Sequence, residues 1–359
     1  MSTTYNYIQL QTFCEAIFTK MGYNTTAAQL ATKVLLSADI RGIDSHGIAR
    51  LSGYVRLWQA GRIVTTTAPH IIHETPSTAT IDGGSGLGLL VAPYAMQIAI
   101  DKAKNVGSGW VSVQHSNHFG IAGYHAMMAL ENDMIGIAMT NASALVAPTF
   151  SKQKMLGTNP IAVAVPAGVQ PAFVADFSTT TAANGKLEIL QRKNEATPTG
   201  WVQDEHGSEI TDANILKKGG ALLPLGGDRE HSSHKGFCLG SIVDILSGVL
   251  SGANYSQWVP PFPAYIPMPN NMPGKGLGHF FGAMRIDAFR PANEFKADMD
   301  NWIISMQNAT PINENQKVII PGSPEREMET YRLKTGIPIL QLVVDDLVKL
   351  GDELSVEFC

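Results

Sequence analysis

The sequence is poor in charge: Asp, Glu, Lys and Arg make up 16% of its 359 residues, and the formal net charge is −5. Acidic and basic residues are scattered, and no Lys/Arg-rich run carries interleaved aromatics, so the electrostatic footprint of a nucleic-acid binder is missing. So little charge leaves apolar surface that a subunit interface would hide, and homo-oligomerisation is expected. Cysteine is scarce too. Cys14, Cys238 and Cys359 are isolated, with no Cys-x-x-Cys spacing, which argues against a disulfide framework and a thiolate zinc site and favours a reducing compartment. The first ten residues lack a basic stretch followed by an apolar run, and no window approaches the length of a membrane-spanning helix. A cytoplasmic protein without a membrane partner is expected.

A chain of this length exceeds what one hydrophobic core usually serves, so two or three structural units are expected. From Tyr7 to Asp39, apolar residues recur at helical spacing, broken at Gly22 and Asn24, which predicts a helical hairpin. A third helix is expected to start at a cap on Asp44 or Ser45 and stop at Gly61, placing His46 and Arg50 one turn apart on one face. Beyond Pro69, short β-like runs (70–73, 78–81, 109–114, 135–140, 161–165, 173–176) alternate with helical stretches at 94–105 and 120–131, the pattern of an α/β core. Pro/Gly-rich segments at 219–227 and 259–278 read as long loops. Pro338 suits the first turn of a helix that would run through Ile339 to Leu350.

One further absence matters. Gly83-Gly84-Ser85-Gly86-Leu87-Gly88 follows a strand-like run but lacks the G-x-G-x-x-G spacing of the Rossmann dinucleotide fingerprint, and reads as a tight turn before a helix. Histidines do cluster: His46, the pair His115 and His118, and the pair His231 and His234. A metal site would also need a carboxylate or thiolate, and none is placed to complete either pair, so no metal is expected. His118 falls at a strand end beside a helix start, where sites in α/β sheets form and where an imidazole would be kept neutral. A loop histidine bonded to backbone explains the position equally well. Arg50 beside His46 adds a group that can grip a carboxylate with two hydrogen bonds. Asp176, Phe177 and Ser178 close a strand-like run with a carboxylate and hydroxyls. Such a cluster can bond ribose and phosphate oxygens, or simply start a helix.

Taken together, RGIDSHGIAR (41–50), HSNHFGIAGYH (115–125), LGTNPIAVAVPA (156–167), ADFSTTTAANGK (175–186) and PLGG followed by HKGFCLGSIVDILSGVLSGA (224–227, 234–253) resemble the malate/L-lactate dehydrogenase family, in family order and over most of the chain. The resemblance implies an α/β fold that is not Rossmann's. A helical domain from residues 1–75 would be completed by 326–359, and a large mixed sheet within 76–325 would bind a nicotinamide cofactor, NAD with NADP also possible. It implies a homodimer with the cofactor site near the interface.

Carried over residue by residue, His118 matches the family's proton acceptor and His46 the histidine assigned as proton donor in other members. Arg50 and Tyr54 match the pair that holds the substrate carboxylate. Asp176, Phe177, Ser178, His234 and Lys235 match cofactor contacts, as do Gly322 and Glu325 in a late loop, while Thr158 and Asn159 match a hallmark that shapes the site. The late loop departs from the commoner family form, as does Phe237-Cys238, where Tyr-Gly is frequent. The implied reaction is hydride transfer between the cofactor and a 2-hydroxy acid. Malate is expected because the 223–253 region resembles malate-type members, and L-lactate is the alternative. A second substrate carboxylate calls for a second cation, with Arg41, Lys154 and His125 as candidates. Arg192 and Lys193 lie beyond the Asp176 strand and could meet a 2′-phosphate if NADP were used, though solvent-exposed basic residues are the commoner explanation. From another class, the His pairs would allow a metal-dependent lyase or hydrolase.

Overall fold

The computed structural model describes residues 2–358, without the side chain of Arg192. In chain order the elements are β1 (Ser2–Tyr5), α1 (Tyr7–Lys20), α2 (Thr25–Ile40), α3 (Leu51–Gln59), β2 (His70–Glu74), β3 (Thr78–Asp82), α4 (Gly88–Val106), β4 (Ser108–Ser116), α5 (Ala122–Met127), β5 (Met134–Thr140), β6 (Ile161–Val165), β7 (Phe173–Phe177) and α6 (Asn184–Lys193). They continue with β8 (Val202–Gln203), β9 (Glu209–Ile210), β10 (Ala221–Leu222), α7 (Ser233–Asp244), β11 (Leu277–Arg285), α8 (Ala292–Gln307), α9 (Ser323–Thr335), β12 (Ile337–Leu340) and α10 (Gln341–Leu354).

The first two helices start where side chains replace missing backbone partners. Asn6 accepts from the Ile8 N–H at 2.8 Å while Gln9 accepts from the Asn6 N–H at 3.0 Å, and Asn24 accepts from the Ala27 N–H at 2.9 Å. Their buried stripes, including Phe13, Ile17, Val34 and Leu35, merge with Leu51 and Val55 of α3 and with Leu347 and Leu350 of α10 in one core. Each such fully buried side chain contributes roughly 1.5–3 kcal/mol. Strand β1 pairs antiparallel with β12, so residues from the two extremes of the chain close the same unit.

The remaining body is a seven-stranded sheet of order β2-β3-β4-β11-β5-β6-β7, in which only the β3–β4 pair is parallel. Helix α4 lies on it through Ala95, Ala99 and Ala103, all fully buried. A Cβ at Gly109 of β4 would sit 2.0 Å from the Ala99 carbonyl oxygen, so small residues on both sides set this close approach. A three-stranded sheet, β10-β8-β9, caps a smaller core around Val146, Leu156, Leu187 and Val202.

Three local expectations change. The third helix does not begin at a cap on Asp44 or Ser45; residues 44–47 form turns and a 3-10 turn spans Ile48–Arg50 before α3. The cap comes from a distant carboxylate: buried Asp39 accepts from the Ile48 N–H at 2.7 Å. Gly47 packs so closely on Asp39 that a Cβ there would lie 2.1 Å from Oδ2. His46 and Arg50 therefore do not share a helix face. Next, Pro338 sits in β12, opposite Thr4 in a two-stranded ribbon that tolerates a missing N–H, and the helix starts at Gln341. Finally, the loop read over 259–278 gives way at Leu277 to β11, a central strand whose first seven residues are buried without alternation.

Candidate active site

Strand β4 delivers Asn117 and His118 to the edge between the sheet and the helical unit. The Asn117 amide donates to the carbonyls of Arg62, Ser85 and Gly86 at 3.2, 3.0 and 3.0 Å, which fixes the backbone ahead of His118. Tyr54, fully buried on α3, places its hydroxyl 2.7 Å from His118 Nδ1, and the Gly120 N–H approaches the same nitrogen at 3.3 Å. The His46 ring stacks on the His118 ring at 5.6 Å and 27°, with Ser45 Oγ 2.8 Å from His46 Nδ1. Arg50 is held by its Nε, which donates to the Ser45 carbonyl at 2.6 Å, and its guanidinium lies 5.5 Å from the Phe262 ring centre. Phe262 closes the arrangement edge-on to His118 and Tyr54 at 5.1 and 5.5 Å. A cavity of about 120 Å³ remains, lined by His46, Arg50, Arg62, His118, Thr158 and Phe262 among others.

Both histidines are neutral at neutral pH. Burial, followed by Arg50, lowers His46 to about 4. Burial, then His46 and Arg50, hold His118 well below the ordinary imidazole range. The expected direction is found, but its cause is desolvation and a neighbouring cation rather than a helix N-terminus. Burial likewise raises the Tyr54 hydroxyl far above its usual value, so it stays protonated and able to donate.

A second cavity, about 220 Å³, gathers Arg41, Gly123, Asp176, Gly322 and Glu325. The Asp176 carboxylate accepts from the Gly123 N–H at 2.7 Å, so it also caps the start of α5. Helix α9 joins this cavity to the first one. Its N-terminal residues line the second cavity, while Glu329 pairs with Arg41 at 2.8 Å and Arg332 bonds both the Asp44 carboxylate and, at 2.6 Å, the Asp39 carbonyl, below the loop that carries His46.

The other residues carried over for a cofactor lie apart from both cavities. Phe177 is 41% exposed, Ser178 Oγ accepts from Thr180 Oγ1 at 3.1 Å, His234 Nδ1 takes a 2.7 Å bond from Arg229, and Lys235 is exposed in the first turn of α7. Their chemistry nevertheless suits a nicotinamide dinucleotide. The Asp176 and Glu325 carboxylates can accept from sugar hydroxyls, the Ser178 hydroxyl and Lys235 ammonium match a diphosphate, and Phe177 offers an open ring face. Asn159, fully buried, accepts from the Ala142 N–H at 3.1 Å and donates to the Gly240 carbonyl at 2.9 Å, tying the cavity wall to α7.

None of the three proposed second cations faces His118. Arg41 is paired with Glu329 in the other cavity, His125 is fully buried with Nε2 on the Phe119 carbonyl at 2.9 Å, and Lys154 lines neither cavity. Arg62, Asn117, Ser143 and Phe262 line the cavity unforeseen. Only Asn117 carried a signal, as a member of the HSNHFG motif. Lys193 is exposed at the end of α6, and the side chain of Arg192 lies outside the described residues, as does Cys359. The His pairs point to different partners: His115 to Asp82 at 2.9 Å, His231 to Asp228 at 2.8 Å. No group of three or more His, Cys, Asp or Glu converges on a metal-sized site among the described residues. No helix among them is long and apolar enough to cross a membrane.

A profile described as malate/L-lactate dehydrogenase matches residues 5–348. The chain is 41% identical to the malate dehydrogenase of Pyrococcus abyssi, over 97% of this chain and 94% of that protein. It is 38% identical to a malate/(S)-sulfolactate dehydrogenase of Methanothermus fervidus, over 95% of each. Its fold superposes on the crystal structure of malate dehydrogenase from Entamoeba histolytica with a TM-score of 0.91 and 32% identity, covering 99% of both chains.

Proposed function

The chain belongs to the malate/L-lactate dehydrogenase family of hydroxy-acid oxidoreductases, and from that premise we propose that it interconverts malate and oxaloacetate with a nicotinamide cofactor. The observation that carries this reading is the juxtaposition in one small cavity of Arg50, pre-oriented by the Ser45 carbonyl, and His118, held neutral and bonded to Tyr54. Arg50 binds the carboxylate beside the reacting carbon. With its hydrogen on Nδ1, donated to Tyr54 Oη along the 2.7 Å contact, His118 presents the Nε2 lone pair to the substrate hydroxyl. A bound nicotinamide would supply the hydride acceptor for the hydrogen on that carbon. Bound carboxylate offsets the charge of Arg50, one of the causes that keep His118 unprotonated, so substrate itself helps the ring take the proton. We assign His46, stacked behind, as the second histidine of the pair, with Thr158 and Asn159 shaping the wall.

Asp176, Phe177, Ser178, His234, Lys235, Gly322 and Glu325 are assigned to the cofactor. Two carboxylates lining one cavity favour NAD, since a 2′-phosphate would meet like charge there. We take residues 1–69 with 326–359 as the helical unit and 70–325 as the sheet unit, the boundary moved from residue 75 because β2 (His70–Glu74) pairs with β3 in the large sheet. A homodimer is supported by Ile242, Ile245, Val249 and Leu250, all 47–57% exposed on and just after α7. A cytoplasmic location accords with the absence of paired cysteine spacing.

The test follows reduced-nicotinamide absorbance with oxaloacetate, pyruvate and 3-sulfopyruvate, each with NADH and with NADPH. Oxaloacetate with NADH should give the highest kcat/KM. Preference for pyruvate or 3-sulfopyruvate would replace malate as the substrate, and no turnover with any 2-keto acid would refute the reading.

A further inference from the structure

The cavity contains a cation that the carboxylate grip of Arg50 leaves unexplained. Arg62 follows the end of α3, and its backbone carbonyl is locked into the site by the Asn117 amide and by Ser85 Oγ at 2.9 Å. One terminal nitrogen, Nη2, is pinned by the Pro261 carbonyl. The other, Nη1, is buried and has no hydrogen-bond partner, and among the described residues no carboxylate pairs with Arg62. A guanidinium N–H shut off from water without an acceptor carries the full cost of its lost hydration, and such groups persist where a ligand supplies the acceptor. Burial accordingly lowers the Arg62 pKa, as expected of a cation with no anion beside it.

The charge of the cavity gives the same indication. Arg50 and Arg62 both line it, the two histidines are neutral, and no carboxylate is among the described residues that line it, the Glu188 carboxylate standing 3.7 Å from Arg50. A monocarboxylate satisfies Arg50 and leaves Arg62 unpaired; a dianion satisfies both. Two fixed, differently held guanidinium groups are a recognition device for two separate anionic ends.

We infer that Arg62 is the specificity residue that binds the second anionic group of the substrate, so the cavity selects 2-keto and 2-hydroxy acids bearing a distal carboxylate or sulfonate over those ending in a methyl group. The inference deepens the proposed malate reading and rests on it for the reaction, though not for binding.

The experiment measures kcat/KM for oxaloacetate and pyruvate in wild type, Arg62→Gln and Arg62→Lys, together with calorimetric binding of succinate and butyrate, equal in carbon count, in the presence of NADH. In Arg62→Gln the oxaloacetate-to-pyruvate ratio should fall by about 10²-fold, the size of a lost charge-assisted pair. Succinate should weaken by a similar factor while butyrate changes far less, and Arg62→Lys should recover part of the loss. An unchanged ratio, or an equal loss for both acids and both ligands, would show that Arg62 only props the Pro261 loop and would overturn the inference. If wild type reduces no 2-keto acid, the malate reading fails, and the succinate and butyrate comparison still decides the role of Arg62.

Discussion

Replacing Tyr54 with Phe removes one oxygen atom from the contact that orients His118. The phenyl ring would keep the buried site and its edge-on packing with Phe262 at 5.5 Å, so the fold should be retained. What is lost is the acceptor for the Nδ1–H, 2.7 Å away, and the Gly120 N–H 3.3 Å from that nitrogen is itself a donor and cannot replace it. A hydrogen bond contributes about 0.5–1.5 kcal/mol and an unsatisfied buried partner costs about 1–3 kcal/mol; where the two ranges meet, a loss of about 1–2 kcal/mol is expected. At 1.36 kcal/mol per tenfold, that is roughly a 5- to 30-fold fall in kcat for malate oxidation. Because Tyr54, which the resemblance paired with Arg50 on the carboxylate, instead bonds His118 and does not line the cavity, while Arg50 is held by the Ser45 carbonyl, KM for malate should move little. Steady-state kinetics beside a thermal melt would test this. A kcat within twofold of wild type, with the melt unchanged, would refute the claim that Tyr54 sets the working orientation of His118.

Two further perturbations address the loop that carries His46. Gly47→Ala places a Cβ 2.1 Å from Asp39 Oδ2, an overpacking worth about 1–3 kcal/mol, and should lower both the melting temperature and kcat/KM; wild-type melting would show that the loop accommodates the methyl group. Asp39 is raised to about 8, chiefly by burial, so the folded state holds a proton that the unfolded chain releases near pH ~3.9; the stability from this group is present at low pH and is lost as pH rises through about 8. Asp39→Asn, which keeps an acceptor for the Ile48 N–H, should therefore flatten the decline in urea midpoint from about pH 5 to about pH 8, and parallel curves for the two proteins would contradict this.

Local pattern made the first helical hairpin and the strand runs readable, because their burial follows the period of each element. It also placed His118 between a strand and a helix, and the residue lies just beyond β4, which ends at Ser116. What local pattern could not carry was pairing across the chain. Asp44 and Ser45 look like helix caps in sequence, yet Asp39 performs that task through the tertiary approach of Gly47. Arg41 looks free to meet a substrate until Glu329, 288 positions later, takes its guanidinium. Arg62 had no motif to announce it, since its significance lies in an acceptor that is missing rather than in a residue that is present. The RGIDSHGIAR segment was informative as a family signature, while the shape that brings His46 and Arg50 together is set by Asp39 and the Ser45 carbonyl and braced from far along the chain by α9.

That last dependence has a consequence for biosynthesis. The loop bearing His46 and Arg50 leaves the ribosome early, but the residues that brace it, Glu329 and Arg332, are made 288 positions afterwards, and strand β12, which closes the helical unit on β1, follows them. A nascent chain can form the hairpin of α1 and α2 and much of the sheet while its catalytic loop still lacks its brace. Competence is thus deferred until α9 has been made, and a chain cut short before α9 would retain most of its sheet while lacking a working centre.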